Sequence, residues 1–394
     1  MTEKLFDQVT FPSGVHLKNR IVMAPMTTES AYYDGTVTDE LIHYYAHRSG
    51  EAGAVIVESA FVSDEGRGFF GAMGIDSDDK IEPLRRLATA IKNKGSKAII
   101  QIYHAGRMAF PDMNKGQNPI SASSVAALRP NAPTPTEMTH RDILDMIEAF
   151  AQATSRAIKA GFDGVELHGA NTYLLQQFFS PHSNRRHDAW GGSIEKRAKF
   201  PLEVVRAVKK VIAEEAKQPF ILGYRFSPEE LEEPGIRFDD TMYFLNQLAK
   251  EEPDYVHFSM GIYTRNSIVN PADPEMLIAK YKASRSEALA KIPVIGVGGI
   301  LQAEDAKAAL ELGYDLVAVA KGFLVEPHWV SAIQNGRKVK DFADIHDREN
   351  LVIPVPLWKF MDTSFQLVKD ADAELKKQAR LIELMGKDLV FTPG

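Results

Sequence analysis

The chain has 394 residues, 44% of them hydrophobic, and a formal net charge of −7: enough apolar residues for one large core, and no basic excess to attract nucleic acid or an anionic membrane. Its cysteine count is 0, which removes disulfides, cysteine-held iron–sulfur clusters and thiol nucleophiles together. No stretch approaches the roughly 20 apolar residues of a membrane span, and no apolar signal core opens the chain, so it reads as cytoplasmic.

Short runs rich in Val and Ile recur, each followed by a longer amphipathic segment: Ile21 to Pro25, Ala54 to Glu58, Ala98 to Tyr103, Gly164 to His168, Phe220 to Phe226, Tyr255 to Ser259, Pro293 to Gly298 and Leu316 to Ala320. This alternation predicts βαβ units and a parallel sheet, and eight units predict an α/β fold of the closed (β/α)8 TIM-barrel type over residues 1–335. Gly161 and Gly313, each two residues before an aspartate, mark helix ends ahead of the fourth and eighth strands. A helix is expected to start at a capping box of Thr139 and Asp142. Another is expected from Ser193 to Glu215, with Leu202, Val205, Val208 and Ile212 on one face.

Two connections, 105–139 and 169–192, are too long for simple turns. Both follow strands, so both belong to the C-terminal face, where barrels of this kind carry their active sites. Residues 336–394 continue no strand pattern and are expected to form a mostly helical tail. That tail packs on the barrel or, in a homo-oligomer, on a neighbouring subunit, with Trp358, Phe360 and Phe365 as its aromatic contacts.

In such a barrel the residues at the strand ends converge. Thr27 follows strand one, Glu58 and Ser59 end strand two, and Gln101 and Tyr103 lie on strand three. His168 ends strand four, Arg225 strand five and Ser259 strand six, while Gly298 and Gly299 follow strand seven and Lys321 strand eight. Neutral hydrogen-bonding groups dominate this set, which makes glycosidase chemistry with its two opposed carboxyl groups improbable. Position 301 is Leu where a dinucleotide fingerprint needs its third glycine. Gly298 and Gly299 with Lys321 instead match the phosphate site that barrels place after strands seven and eight. Tyr44 stands between His43 and His47 where an HExxH zinc site requires Glu, so no metal is expected.

The stretch Asp163 to Tyr173 concentrates the chemistry. His168 and Asn171 can both donate to one carbonyl oxygen, and Tyr173 keeps its proton at neutral pH, a phenol titrating at about 10. Two donors and one acid so close together point to reduction of a polarised double bond. Tyr103, one alternation beyond Gln101, is expected in the same pocket, with ordinary barrel filling as the other reading.

Longer motifs surround these residues: Asn19-Arg-Ile-Val-Met-Ala-Pro-Met-Thr27, Gln101-Ile-Tyr-His-Ala-Gly-Arg107, Ser180-Pro-His-Ser-Asn184 and Trp190-Gly-Gly-Ser-Ile-Glu-Lys-Arg197. On them the chain resembles the Old Yellow Enzyme family of FMN-dependent ene-reductases, from about residue 5 to 335. The resemblance implies a non-covalent FMN over the barrel mouth, with NADH or NADPH as reductant. Ala24, Pro25, Met26, Thr27, Ser59, Gln101, His168 and Arg225 would contact its ring and ribityl chain, and Gly298, Gly299, Ala320 and Lys321 its phosphate. It further implies that His168 and Asn171 bind the oxygen of an α,β-unsaturated carbonyl compound, that Tyr173 protonates the α-carbon, and that Tyr103 shapes the substrate side. Two positions depart from the family pattern: Thr27 stands where cysteine is frequent, and Lys321, which lacks the bidentate fork, where arginine is common.

A second reading of the same residues is a barrel aldolase or isomerase acting on a phosphorylated substrate, with Lys321 forming a Schiff base and Glu58 acting as base. It leaves Gln101, His168, Asn171 and Tyr173 without a task. The expected partner is a small electron-poor molecule, not nucleic acid and not a membrane.

Overall fold

The computed structural model describes residues 3–377. Eight parallel strands form its centre: β1 Ile21–Met23, β2 Ala54–Phe61, β3 Lys97–Tyr103, β4 Gly164–Gly169, β5 Ile221–Phe226, β6 Tyr255–Phe258, β7 Val294–Val297 and β8 Leu316–Val319. Each pairs with its successor, and β8 pairs with β1 through Val317 opposite Ile21, so the sheet closes into the expected barrel. β2 runs on to Phe61 rather than ending at Glu58. Its register against β3 steps from Val57 opposite Ile100 to Ala60 opposite Ile102, a one-residue bulge at Glu58 and Ser59 that sequence alternation does not reveal.

Strand alternation sorts the apolar residues into two layers. Val22, Ile56, Ile99, Ile221, Ile295 and Leu316 fill the barrel axis around Tyr255. Val55, Ile100, Val165, Leu222, Val256, Val294 and Val317 face the helices. Because both faces are buried, the strands read as nearly continuous Val/Ile runs, and each wholly buried side chain contributes roughly 1.5–3 kcal/mol. An N-terminal hairpin, Val9–Thr10 against His16–Leu17, seats Phe11, Val15 and Leu17 in the axial layer, with the Phe11 ring 5.5 Å from that of Tyr255. Gly223 on β5 makes room for that tyrosine: a Cβ there would lie 2.1 Å from Tyr255 Cζ.

Helix α1, His140–Lys159, begins at the capping box, Thr139 and Asp142 each bonding the other's backbone, and buries Ile143, Met146, Phe150, Ala153 and Ala157. Gly161, with φ of 83°, then turns the chain into β4 through the left-handed region. Helix α2, Leu174–Phe179, follows β4, and α3, Ile194–Glu215, starts after Ser193 as expected. Beyond the barrel, α4, Val355–Phe365, buries Leu357 and Met361. Trp358 and Phe360 pack against the core, whereas Phe365 is exposed. Arg48, itself buried, donates from Nη2 to Leu351 O and from Nε to Phe323 O, which ties this segment to the barrel. Residues 378–394 of the expected tail lie outside the described residues. Among the described residues no helix is long and apolar enough to cross a membrane.

Candidate active site at the barrel mouth

The polar residues gather where β3, β4, β5 and β6 end. Gln101 pairs in register with Glu166, while Arg225 lies opposite His168 on one side and His257 on the other. Gln101 is buried and donates its amide to Glu166 Oε1 at 2.7 Å. Arg225 is half-buried, and its Nε is shielded from solvent without a hydrogen-bond partner among the described residues. The same holds for Nδ1 of His168. Burial first, then the charge of Arg225, hold the His168 pKa well below the usual imidazole value. The ring is therefore a neutral donor, not a cation.

After His168 the backbone enters the left-handed region twice in succession, at Asn171 (φ 55°) and Thr172 (φ 61°). Such geometry costs of order 1–3 kcal/mol per non-glycine residue and persists only when its surroundings impose it. Asn171 N donates to Ser227 Oγ at 2.9 Å, Thr172 N to Gln176 Oε1 at 3.0 Å, and Gln177 Nε2 donates to Thr172 O at 2.6 Å. Both glutamines belong to α2 and are held in turn, Gln176 by Glu230 and Gln177 by Ser121 and the Arg107 backbone. The long connection 105–139 thus braces the loop that carries Asn171. Gly106 is required at that brace, since a Cβ there would lie 2.1 Å from Gln177 Oε1.

Tyr173 caps α2 and turns its ring edge-on to His168, with centroids 4.9 Å apart. Burial raises its pKa above that of a free phenol. Tyr103 is 0% exposed, lies 4.9 Å behind the Tyr173 ring, and its hydroxyl accepts from Gly68 N. It therefore backs the proton donor instead of lining open space, with Gly68 bonded to its hydroxyl and the Phe69 ring stacked on its own.

The other side of the mouth is set by β1, β7 and β8. Ala24 N donates to Val319 O at 2.9 Å, and Thr28 donates from both N and Oγ1 to the carboxylate of Glu58. Pro25, Met26 and Thr27 are thereby stretched, half-buried, across the opening, with the buried Ser59 beside Glu58 in the bulge. Gly298 and Gly299 both have positive φ, 99° and 68°, and a Cβ on Gly298 would lie 2.4 Å from Met260 O. A glycine turn of this kind lets the backbone come close to a ligand, and N–H groups in a turn can receive an anion. Ala320 and Lys321 follow β8, the lysine opening a short helix.

This donor set fits FMN. A guanidinium and a neutral imidazole each carry a buried nitrogen without a partner among the described residues, as a polar heteroaromatic ring requires, and a glycine turn with a lysine suits its phosphate. Glu166 and His257, neither of which the strand-end pattern singled out, form the layer below. The signal for both was a charged or polar residue in the inward register of an apolar strand. A cavity of about 870 Å³ opens elsewhere, lined by Lys92, Lys97, Asp163 and Phe220, and contains none of these groups.

The family described as NADH:flavin oxidoreductase / NADH oxidase matches residues 4–340. The chain is 60% identical over 391 residues to an NADH:acrylate oxidoreductase of Vibrio harveyi, a match covering 99% of this chain and 39% of that protein. It is 52% identical over 358 residues to an NADH:fumarate oxidoreductase of Klebsiella pneumoniae, covering 91% of this chain and again 39% of the relative. It therefore spans well under half the length of these two relatives. The solved structure of morphinone reductase superposes with a TM-score of 0.74 at 28% identity, over 85% of this chain and 90% of that one.

Proposed function

This chain belongs to the NADH:flavin oxidoreductase / NADH oxidase family, and from that premise we propose that its barrel mouth holds FMN, is reduced by NADH or NADPH, and serves the reduction of an activated C=C bond in a small electron-poor molecule. FMN, when bound, supplies the two-electron chemistry that links a nicotinamide to such an alkene. Arg225, Gln101, His168 and Thr27 would hold its ring, with Ala24, Pro25, Met26 and Ser59 around it, and Gly298, Gly299, Ala320 and Lys321 would hold its phosphate.

The chain's own residues then have distinct tasks. Arg225 supplies a fixed positive charge in a site shielded from water, where charge stabilisation counts most. His168, held neutral, and the Asn171 amide donate to the carbonyl oxygen of the alkene and stabilise the charge that grows there. Tyr173, whose pKa is raised by burial, retains its proton at neutral pH and delivers it to the α-carbon. The observation that carries this reading is the meeting of a guanidinium whose Nε has no partner among the described residues and a neutral imidazole on adjacent strand ends, with a protonated phenol against the imidazole. The names of the two relatives, for acrylate and fumarate, support the same substrate class.

The aldolase or isomerase reading loses its base. Glu58 is 0% exposed, and both of its carboxylate oxygens accept from Thr28.

Anaerobic stopped-flow tests the proposal. FMN-loaded protein should bleach with NADH or NADPH and recolour with at least one member of a panel of acrylate, fumarate and a cyclic enone. Failure to bleach with either nucleotide would refute it.

A further inference from the structure

This inference rests on the flavin reading above and concerns a residue to which that reading gives no role. Glu166 lies on the inner face of β4, two residues before His168, and is 0% exposed. Its Oε1 accepts from Gln101 Nε2 at 2.7 Å, and its Oε2 faces His257 Nδ1 at 2.8 Å. One carboxylate thus joins β3, β4 and β6 across the barrel interior, beneath the end of β5 that carries Arg225. Burying a carboxylate costs several kcal/mol unless it is compensated, and a leucine at this position would fill a barrel axis at no such cost. Burial pushes the Glu166 pKa up, but His257, Arg225 and Gln101 together hold it below its ordinary value. His257, held low by burial, is then the neutral donor of the pair.

We propose that Glu166 is a positioning residue of the redox site: it fixes the amide of Gln101 and the ring of His257 and offsets the charge of Arg225, so lowering the potential of the flavin these residues hold. With Nε2 committed to Glu166, Gln101 keeps its carbonyl oxygen for a ligand N–H. A negative charge below Arg225 weakens the preference of the site for reduced over oxidised flavin. Glu166→Gln keeps the shape and removes the charge.

The test is a spectroelectrochemical titration of FMN-loaded E166Q beside the unmutated protein, with FMN affinity measured by fluorescence quenching. The expected result is a roughly tenfold rise in the ratio of affinities for reduced and oxidised flavin, which for a two-electron couple is a potential about 30 mV higher. A potential equal to that of the unmutated protein, with FMN bound, would overturn the proposal. If E166Q does not fold, Glu166→Asp decides: it keeps the charge at shorter reach, and FMN should bind at least fivefold more weakly while the potential stays near that of the unmutated protein. Unchanged affinity in E166D would overturn the proposal. Failure of the unmutated chain to take up FMN would remove the flavin reading itself, an outcome visible before any variant is made.

Discussion

Ser259 Oγ donates a 2.8 Å hydrogen bond to Asn171 Oδ1, joining the end of β6 to the left-handed loop after β4. The bond decides which way the amide of Asn171 points. With its oxygen occupied, the amide NH2 is the group left to present to a ligand.

Ser259→Ala should therefore weaken binding of a phenol, whose oxygen mimics that of an enolate, by roughly fivefold, since one such bond is worth about 1 kcal/mol. Ser259→Thr should restore it. Isothermal titration with a para-substituted phenol checks both, and an S259A affinity equal to that of the unmutated protein would mean that Asn171 is not oriented by this contact.

Tyr173→Phe should slow recolouring by an enone roughly 10²- to 10⁴-fold while leaving bleaching by NADH nearly unchanged. Equal slowing of both halves would assign the tyrosine a packing role. In Glu58→Gln, which removes a group at the mouth that titrates near 7, the recolouring rate should be flat from about pH 6.5 to 9, because His168 is displaced below its ordinary range of about 6.5 and Tyr173 above about 10. A sigmoid centred near pH 7 in that variant would contradict the neutral imidazole.

Glu58 gives a stability prediction with a definite sign. Burial pushes its carboxyl from 4.5 up to about 7. The folded state thus binds this proton more tightly than the unfolded chain, and the stability it contributes below pH 4.5 is lost as the pH rises through about 7. The full effect above both values is on the order of 3 kcal/mol. Glu58→Gln should accordingly gain in Tm relative to the unmutated protein as the pH goes from 5 to 8, as followed by calorimetry. A constant difference would show that Glu58 does not titrate in this window.

Gly223→Ala would force a methyl group to within 2.1 Å of the Tyr255 ring. Overpacking of this kind costs roughly 1–3 kcal/mol, and a lower urea midpoint should report it. The double variant Gly223→Ala with Tyr255→Leu should recover part of the loss. No recovery would place the strain elsewhere.

The barrel was legible in the sequence for a physical reason. Strands buried on both faces are apolar at most positions, so Ile21 to Met23 or Val294 to Val297 stand out without any partner being known. His168, Asn171 and Tyr173 were legible because they crowd one strand end. The supports of these residues were not. Gln101 meets Glu166 across 65 positions and Ser259 meets Asn171 across 88, and nothing local to either residue announces its partner. The bulge in β2 was equally hidden. Tyr103 could be read as lining the pocket or as filling the barrel, and only the packing of Gly68 and Phe69 on it, with Tyr173 in front, separates the two. Glu58 was offered as a base because it ends an apolar run. Its real neighbours, the backbone and hydroxyl of Thr28, appear only once β1 and β2 are side by side.

The central claim is that side chains from Ala24 to Lys321 form one FMN site around Arg225. Titrating the flavin-free protein with FMN, followed by visible absorption and flavin fluorescence, tests it most directly. The expected result is saturation at one FMN per chain, with Arg225→Ala binding at least tenfold more weakly. No saturable uptake by the unmutated protein, or equal affinity in R225A, would contradict it.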